Sequence, residues 1–199
     1  MATSAAKNPQ RLVIGISGSS APLLGIRLLE VLRQFSHIET HLVLSPNLAK
    51  TIQAEAPEYS VAKIQTLADF HYSPSEIGAP IASGSFTTMG MVVIPCSMRT
   101  LAAVAHGSGD NLLTRAADVH LKERRPLILV PRETPLNLAH LRNMVQVSEM
   151  GGVILPPNLA FYHRPQGVLD LVDHTVGKVL DMLKIPHELF QRWAGSPES

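Results

Sequence analysis

Cysteine is nearly absent from this sequence: Cys96 is the only one among 199 residues. A lone thiol excludes an internal disulfide and a cysteine-built zinc site. Charge is scarce as well. Charged residues make up 17%, and 17 Lys+Arg against 16 Asp+Glu leave a formal net charge of +1. Such a balance lacks the basic field that nucleic acid or another polyanion requires, and only Lys122-Glu123-Arg124-Arg125 gathers basic residues. No apolar run reaches the roughly 18 residues of a membrane span. Residues 1–10 lack the apolar core of a secretion signal and read as a loose tail, so a cytoplasmic location is expected. There is no Walker-type Gly-Lys-Ser/Thr, and the nine histidines lack the spacing of a helical metal pair, so each reads as structural or surface.

What is present is apolar sequence cut into short pieces. Hydrophobic residues reach 45%, which with so little charge suggests that part of the surface is covered, for instance by further copies of the chain. The length suits one α/β domain over residues 11–195. Runs rich in β-branched residues mark strands at residues 11–17, 39–44, 91–95, 126–131 and 152–156. Between them lie helical patterns, including one that starts near Pro22, one that ends at Glu55, and those at 111–122, 137–148 and 168–183. Residues 61–70 read as short helical pieces. Strand and helix alternate throughout, which predicts a doubly wound parallel sheet with helices on both faces, a Rossmann-like architecture.

The stretch at residues 83–100, SGSFTTMGMVVIPCSMRT, organises this reading. Met91-Val92-Val93-Ile94 reads as a strand buried on both faces, and Pro95, unable to donate to a sheet ladder, should end it. Ser97 is an N-cap candidate for the helix that follows. A strand running into a capped helix start offers free N–H groups, hydroxyls and a positive dipole end, which together suit an anion. The same rule applies to every strand end of a parallel sheet, since ligands bind there. The residues leaving the strands are Gly18-Ser19-Ser20, Ser45, Cys96-Ser97 and Arg132-Glu133. That edge of hydroxyls, a glycine and an arginine suits a phosphate-bearing cofactor. Cys96 reads as a small buried residue, Lys122 as a solvated charge and Glu55 as a solvent-facing carboxylate when each is taken alone.

Taken together, longer motifs carry a resemblance. They are Ser83-Gly84-Ser85, PCSMRTL from Pro95, RAADV from Arg115, LKERR from Leu121, PRETPL from Pro131, HLRNM from His140 and AFYH ending at His163. In this order they resemble the flavin prenyltransferase family (UbiX-type, formerly called aromatic acid or phenylacrylic acid decarboxylases), over residues 11–193. The resemblance implies a metal-independent enzyme that binds reduced FMN and joins to it a dimethylallyl group from dimethylallyl monophosphate. N5 is alkylated with loss of phosphate, and ring closure onto C6 completes prenylated FMN for a UbiD-type decarboxylase. It implies a homododecamer with active sites between subunits. By position, the FMN contacts would be Gly18, Ser19, Ser20, Ser45, Ser97, Met98, Arg99, Thr100 and Arg132. The prenyl donor would be held by Ser83, Lys122, Tyr162 and Lys178, and the catalytic residues would be Ser20, Glu55 and Glu133.

The sequence departs from the family pattern at three places. Ala21-Pro22 stands where a glycine usually follows Ser20, Lys178 stands where an arginine is usual, and Ile77 where some relatives carry tryptophan. Lysine keeps the charge but loses the bidentate fork. Two alternatives to prenyl transfer are an FMN carrier without chemistry of its own and a flavin-dependent decarboxylase.

Overall fold

A computed structural model of the chain describes residues 9–195; residues 1–8, which hold most of the expected tail, and residues 196–199 lie outside the described residues. Six strands form one sheet in the order β3-β2-β1-β4-β5-β6, and every pairing is parallel. They are β1 Gln10–Ile16, β2 Ile38–Leu44, β3 Phe70–Tyr72, β4 Gly90–Cys96, β5 Leu127–Pro131 and β6 Val153–Ile154. Seven helices connect or flank them: α1 Leu23–Leu32, α2 Leu48–Glu55, α3 Val61–Gln65, α4 Met98–Ala105, α5 Leu112–Lys122, α6 Leu138–Glu149 and α7 Val168–Met182.

The two faces follow from side-chain alternation along the strands. Leu12, Ile14 and Ile16 of β1, with Val92 and Ile94 of β4, pack against Ile26 and Leu29 of α1 and Val176 and Val179 of α7. Val13, Met91 and Val93 point the other way, onto Leu101 of α4, Leu113 and Ala116 of α5 and Val147 of α6. Both faces are therefore buried, as the unbroken apolar strands require. Full burial of each such Leu, Ile or Val contributes about 1.5–3 kcal/mol.

Two elements differ from the sequence reading. Strand β4 does not end at Pro95 but continues to Cys96, all seven residues being buried. Its register against β5 shifts between Val93 and Cys96, a bulge that places the proline where no ladder bond is required of it. The second difference is β3. The helix expected to reach residue 70 stops at Gln65, and Phe70 opens an edge strand instead. Asp69 causes this: its carboxylate accepts from the Thr40 backbone N–H and hydroxyl, both at 2.8 Å, and its own N–H donates to Thr40 Oγ1 at 2.9 Å. That clasp lays Phe70 beside its β2 partner His41, whose ring stacks on it at 5.0 Å.

The strand order reverses between β1 and β4, and the connections leaving these two strands diverge to opposite faces. Ser17 ties them at that place. Its hydroxyl donates to the Pro95 carbonyl at 2.8 Å and accepts from the Ser97 N–H at 2.9 Å, with the residue only 1% exposed. Replacing Ser17 by alanine strands the Ser97 N–H, which should lower unfolding stability by about 1–3 kcal/mol. The expected result is a lower urea midpoint at an unchanged m-value.

Candidate active site

A cavity of about 580 Å³ opens at the carboxyl ends of β1, β2 and β4, with Gly18, Ser45, Ser97, Arg99 and Thr100 on its near walls. Its far wall is built by Pro74, Asp110, Asn111 and Thr114. The cavity sits where the strand order reverses, the usual ligand crevice of an open α/β sheet. Ser97 caps α4 as its sequence position predicted, its hydroxyl accepting from the Thr100 N–H at 3.2 Å. The positive end of the α4 dipole therefore points at the crevice. Gly18 approaches the segment after β2 so closely that a Cβ there would lie 2.9 Å from Asn47 Cβ.

The rim is cross-braced. Ser19 Oγ donates to the Arg132 carbonyl at 3.0 Å, joining the exits of β1 and β5. Met98, the first residue of α4, packs on the core beneath. Arg99 stays exposed on the cavity wall. Two polar atoms on this rim are buried without a partner: Ser45 Oγ and Arg132 Nε. Buried polar groups are normally satisfied, so these two could take their bonds from a ligand. A hydroxyl, a guanidinium and a helix N-terminus form a donor set that fits a phosphate monoester.

Glu55 is exposed, as expected of it, but it is also bonded across the neighbouring turn. One oxygen, Oε2, accepts from Ser20 Oγ at 2.9 Å and from the Ala21 N–H at 2.8 Å. It thereby clamps the turn between β1 and α1. Ala21 adopts φ +68°, the left-handed conformation natural to glycine. Cys96 is fully buried and its thiol is pushed up to about 12 by desolvation, which leaves it packing in the core and protonated at neutral pH.

A model of the Flavoprotein family matches residues 1–192. The flavin prenyltransferase UbiX of Escherichia coli (strain K12) is 52% identical over 189 residues, covering 94% of this chain and 100% of the relative. This chain belongs to the UbiX-type flavin prenyltransferase family. The crystal structure of AnUbiX (PadA1) in complex with FMN and dimethylallyl pyrophosphate superimposes with a TM-score of 0.92 at 44% identity, covering 95% of this chain and 100% of that one. A dodecameric FMN-dependent UbiX-like decarboxylase from Escherichia coli O157:H7 gives a TM-score of 0.91 at 48% identity, covering 94% and 100%.

In this UbiX-type chain the residues expected to hold the prenyl donor fall into two groups. Ser83 and Lys122 belong to the first. Lys122, at the end of α5, pairs with Glu123, and a Cβ on Gly84 would lie 2.8 Å from its Nζ. Arg125 donates to the Phe86 carbonyl at 2.8 Å and to that of Gly84, and Arg115 Nε to that of Ala82 at 3.3 Å. These bonds fix the backbone of the serine loop, while the Ser83 and Ser85 hydroxyls stay exposed and bond to each other at 2.9 Å. The second group lies along α7: Tyr162 bonds to His174 at 3.0 Å, and Lys178 Nζ lies 3.7 Å from Asp181. Among the described residues, no hydrogen bond or ion pair links the two groups. Glu133 is exposed at the exit of β5 and accepts from the Thr134 N–H at 3.1 Å.

Sequence reading passed over Ser17 and the cavity wall at Asp110, Asn111 and Thr114. Asn111 carried a usable signal, since it stands as an N-cap before an apolar run and indeed accepts from the Thr114 N–H at 3.2 Å. Ser45→Ala removes a hydroxyl with no partner among the described residues. FMN affinity should fall about three- to tenfold, read by fluorescence titration, while the ligand-free unfolding midpoint stays where it was. Ala21→Gly relieves the left-handed strain at a smaller entropy cost and should raise unfolding stability by about 0.5–1 kcal/mol in a denaturant titration.

Proposed function

We propose that this chain transfers the dimethylallyl group of dimethylallyl monophosphate to reduced FMN, forming the N5 and C6 bonds of prenylated FMN. The observation that carries the reading is the rim at the switch point, where Ser45 Oγ and Arg132 Nε are buried and unpartnered beside a capped helix start. Gly18, Ser19, Ser45, Ser97, Met98, Arg99, Thr100 and Arg132 would hold the phosphate tail and ribityl chain there. When bound, the reduced flavin supplies the nucleophilic nitrogen and carbon.

The chain's own task is to draw off the leaving group and handle protons. As the allylic carbon–oxygen bond breaks, its electron pair leaves on the phosphate. Lys122, Lys178, Ser83 and Tyr162 would present two cations and two hydroxyls to that developing charge, where fixed donors stabilise the transition state more than the ground state. Glu55, already bonded to Ser20, gives the turn beside the flavin a two-member proton relay. Glu133, exposed at the exit of β5, would move a proton or orient the donor.

Neighbouring copies of the chain would bring the two donor-binding groups together in one site. Leu159, Phe161 and Trp193 beside Tyr162 are about two-thirds exposed, an apolar surface of the kind that subunit contacts cover. A homododecamer with shared sites is the assembly that suits this surface, and a relative of the same fold is described as dodecameric. The product would pass to a UbiD-type decarboxylase in the cytoplasm; no helix among the described residues is long and apolar enough to cross a membrane.

Anaerobic incubation with reduced FMN and dimethylallyl monophosphate tests the reading by mass spectrometry. Gain of one five-carbon unit on the flavin is expected. Recovery of unchanged FMN with intact donor would overturn transfer and leave a carrier. Glu55→Gln keeps the turn's hydrogen bonds in part but cannot take a proton, so kcat should drop about 10²-fold or more with FMN still bound. Stopped-flow absorbance under anaerobic conditions measures both.

A further inference from the structure

Tyr162 has one proton and, in the reading above, one phosphate to give it to. A phenol that spends its proton on a neighbouring acceptor turns lone pairs, not a donor, toward an anion. The neighbour here is His174, on the first half of α7, whose Nε2 lies 3.0 Å from the Tyr162 hydroxyl. We propose that His174 is a positioning residue: its Nε2–H donates to the Tyr162 oxygen and so directs the single phenolic proton outward, onto the phosphate of the prenyl donor.

The surroundings hold the imidazole in place for this. His163 stacks on it face to face at 5.0 Å with planes 5° apart, and Phe190 leans against it at 4.7 Å. Tyr162 meets the ring edge-on, at 5.6 Å between centroids, so the hydroxyl approaches a ring nitrogen rather than the ring face. The charged and titratable groups around it are Tyr162 and His163 from the preceding loop, and Lys178 and Asp181 from α7. The carboxylate of Asp181 is itself engaged by Arg192 at 2.7 Å and His187 at 3.1 Å. Burial, His163 and Lys178 together hold His174 below the usual histidine range, with Asp181 opposing. The free ring is therefore neutral near pH 7 and can carry its proton on either nitrogen. An arriving phosphate favours the tautomer that frees the phenol, and below the ring's pKa the imidazolium fixes the donor on Nε2 outright. The arrangement also supplies what Lys178 lacks. A lysine cannot offer the two parallel N–H bonds of an arginine, and a phenol aimed by an imidazole restores a second directed donor beside it.

This inference rests on Tyr162 meeting the donor phosphate, and a double-mutant cycle separates the two ideas. Dissociation constants for dimethylallyl monophosphate on the FMN-loaded protein are measured calorimetrically between pH 5.5 and 8.5. The proteins are the parent chain, His174→Phe, His174→Gln, Tyr162→Phe and Tyr162→Phe combined with His174→Phe. Loss of the donor in His174→Phe should weaken binding about three- to tenfold. In the Tyr162→Phe background the same change should do nothing further, because the histidine acts only through the phenol. His174→Gln keeps an N–H at the same reach and should restore affinity at pH 7.5. It should also erase the extra tightening that the parent shows as pH falls, leaving only the donor's own phosphate titration. Additive losses in the double variant, or unchanged affinity in His174→Phe, would overturn the role of His174. If the parent chain binds no donor at any pH, the prenyl-transfer reading fails instead, and the role of His174 goes with it.

Discussion

A parallel sheet that winds outward in both directions must split its connections at one place, and Ser17 holds that place shut. One hydroxyl, 1% exposed, satisfies a carbonyl of β4 and the first N–H beyond it, so the ends of β1 and β4 separate without leaving an unpaired group between them. One turn and one helix start that line the crevice are hung from those two ends. The Gly18-Ser19-Ser20 turn follows directly from Ser17, and the α4 cap Ser97 accepts its position from the same oxygen. Ser19 then carries the brace across to Arg132, bringing the exit of a third strand to the rim. The walls of the crevice share hydrogen bonds, and two buried polar atoms beside them have no partner among the described residues.

Much of this architecture was legible because burial on two faces leaves a plain trace. Met91-Val92-Val93-Ile94 and Leu127-Ile128-Leu129-Val130 are apolar without alternation, and both proved fully enclosed. One cap was equally readable: Ser97 accepts the backbone bond its position foretold. The misreadings share one cause, a local rule overruled by a distant partner. Pro95 is a strand breaker only in a regular ladder, and the bulge opposite β5 excuses it. Residues 61–70 favour helix until Asp69 finds Thr40, 29 positions away.

The site shows the same division. Hydroxyls at strand ends could be placed from topology alone, since a parallel sheet sends every carboxyl end to one edge. What each hydroxyl bonds could not. Glu55 reads as an ordinary surface carboxylate until the turn 34 residues earlier folds onto it, and His174 reads as one of nine scattered histidines until Tyr162 arrives. Among the described residues no hydrogen bond or ion pair links the groups on α5 and α7, and no periodicity in the sequence announces that division.

The burial of Cys96 has a chemical corollary. Reduced flavins hand electrons to dissolved oxygen and generate peroxide, whose first target in most proteins is an accessible thiolate. Here the sole sulfhydryl lies sealed beneath the rim, fully desolvated and protonated. A protein that handles dihydroflavin thus offers that oxidant no accessible thiolate, since its one thiol is buried and protonated.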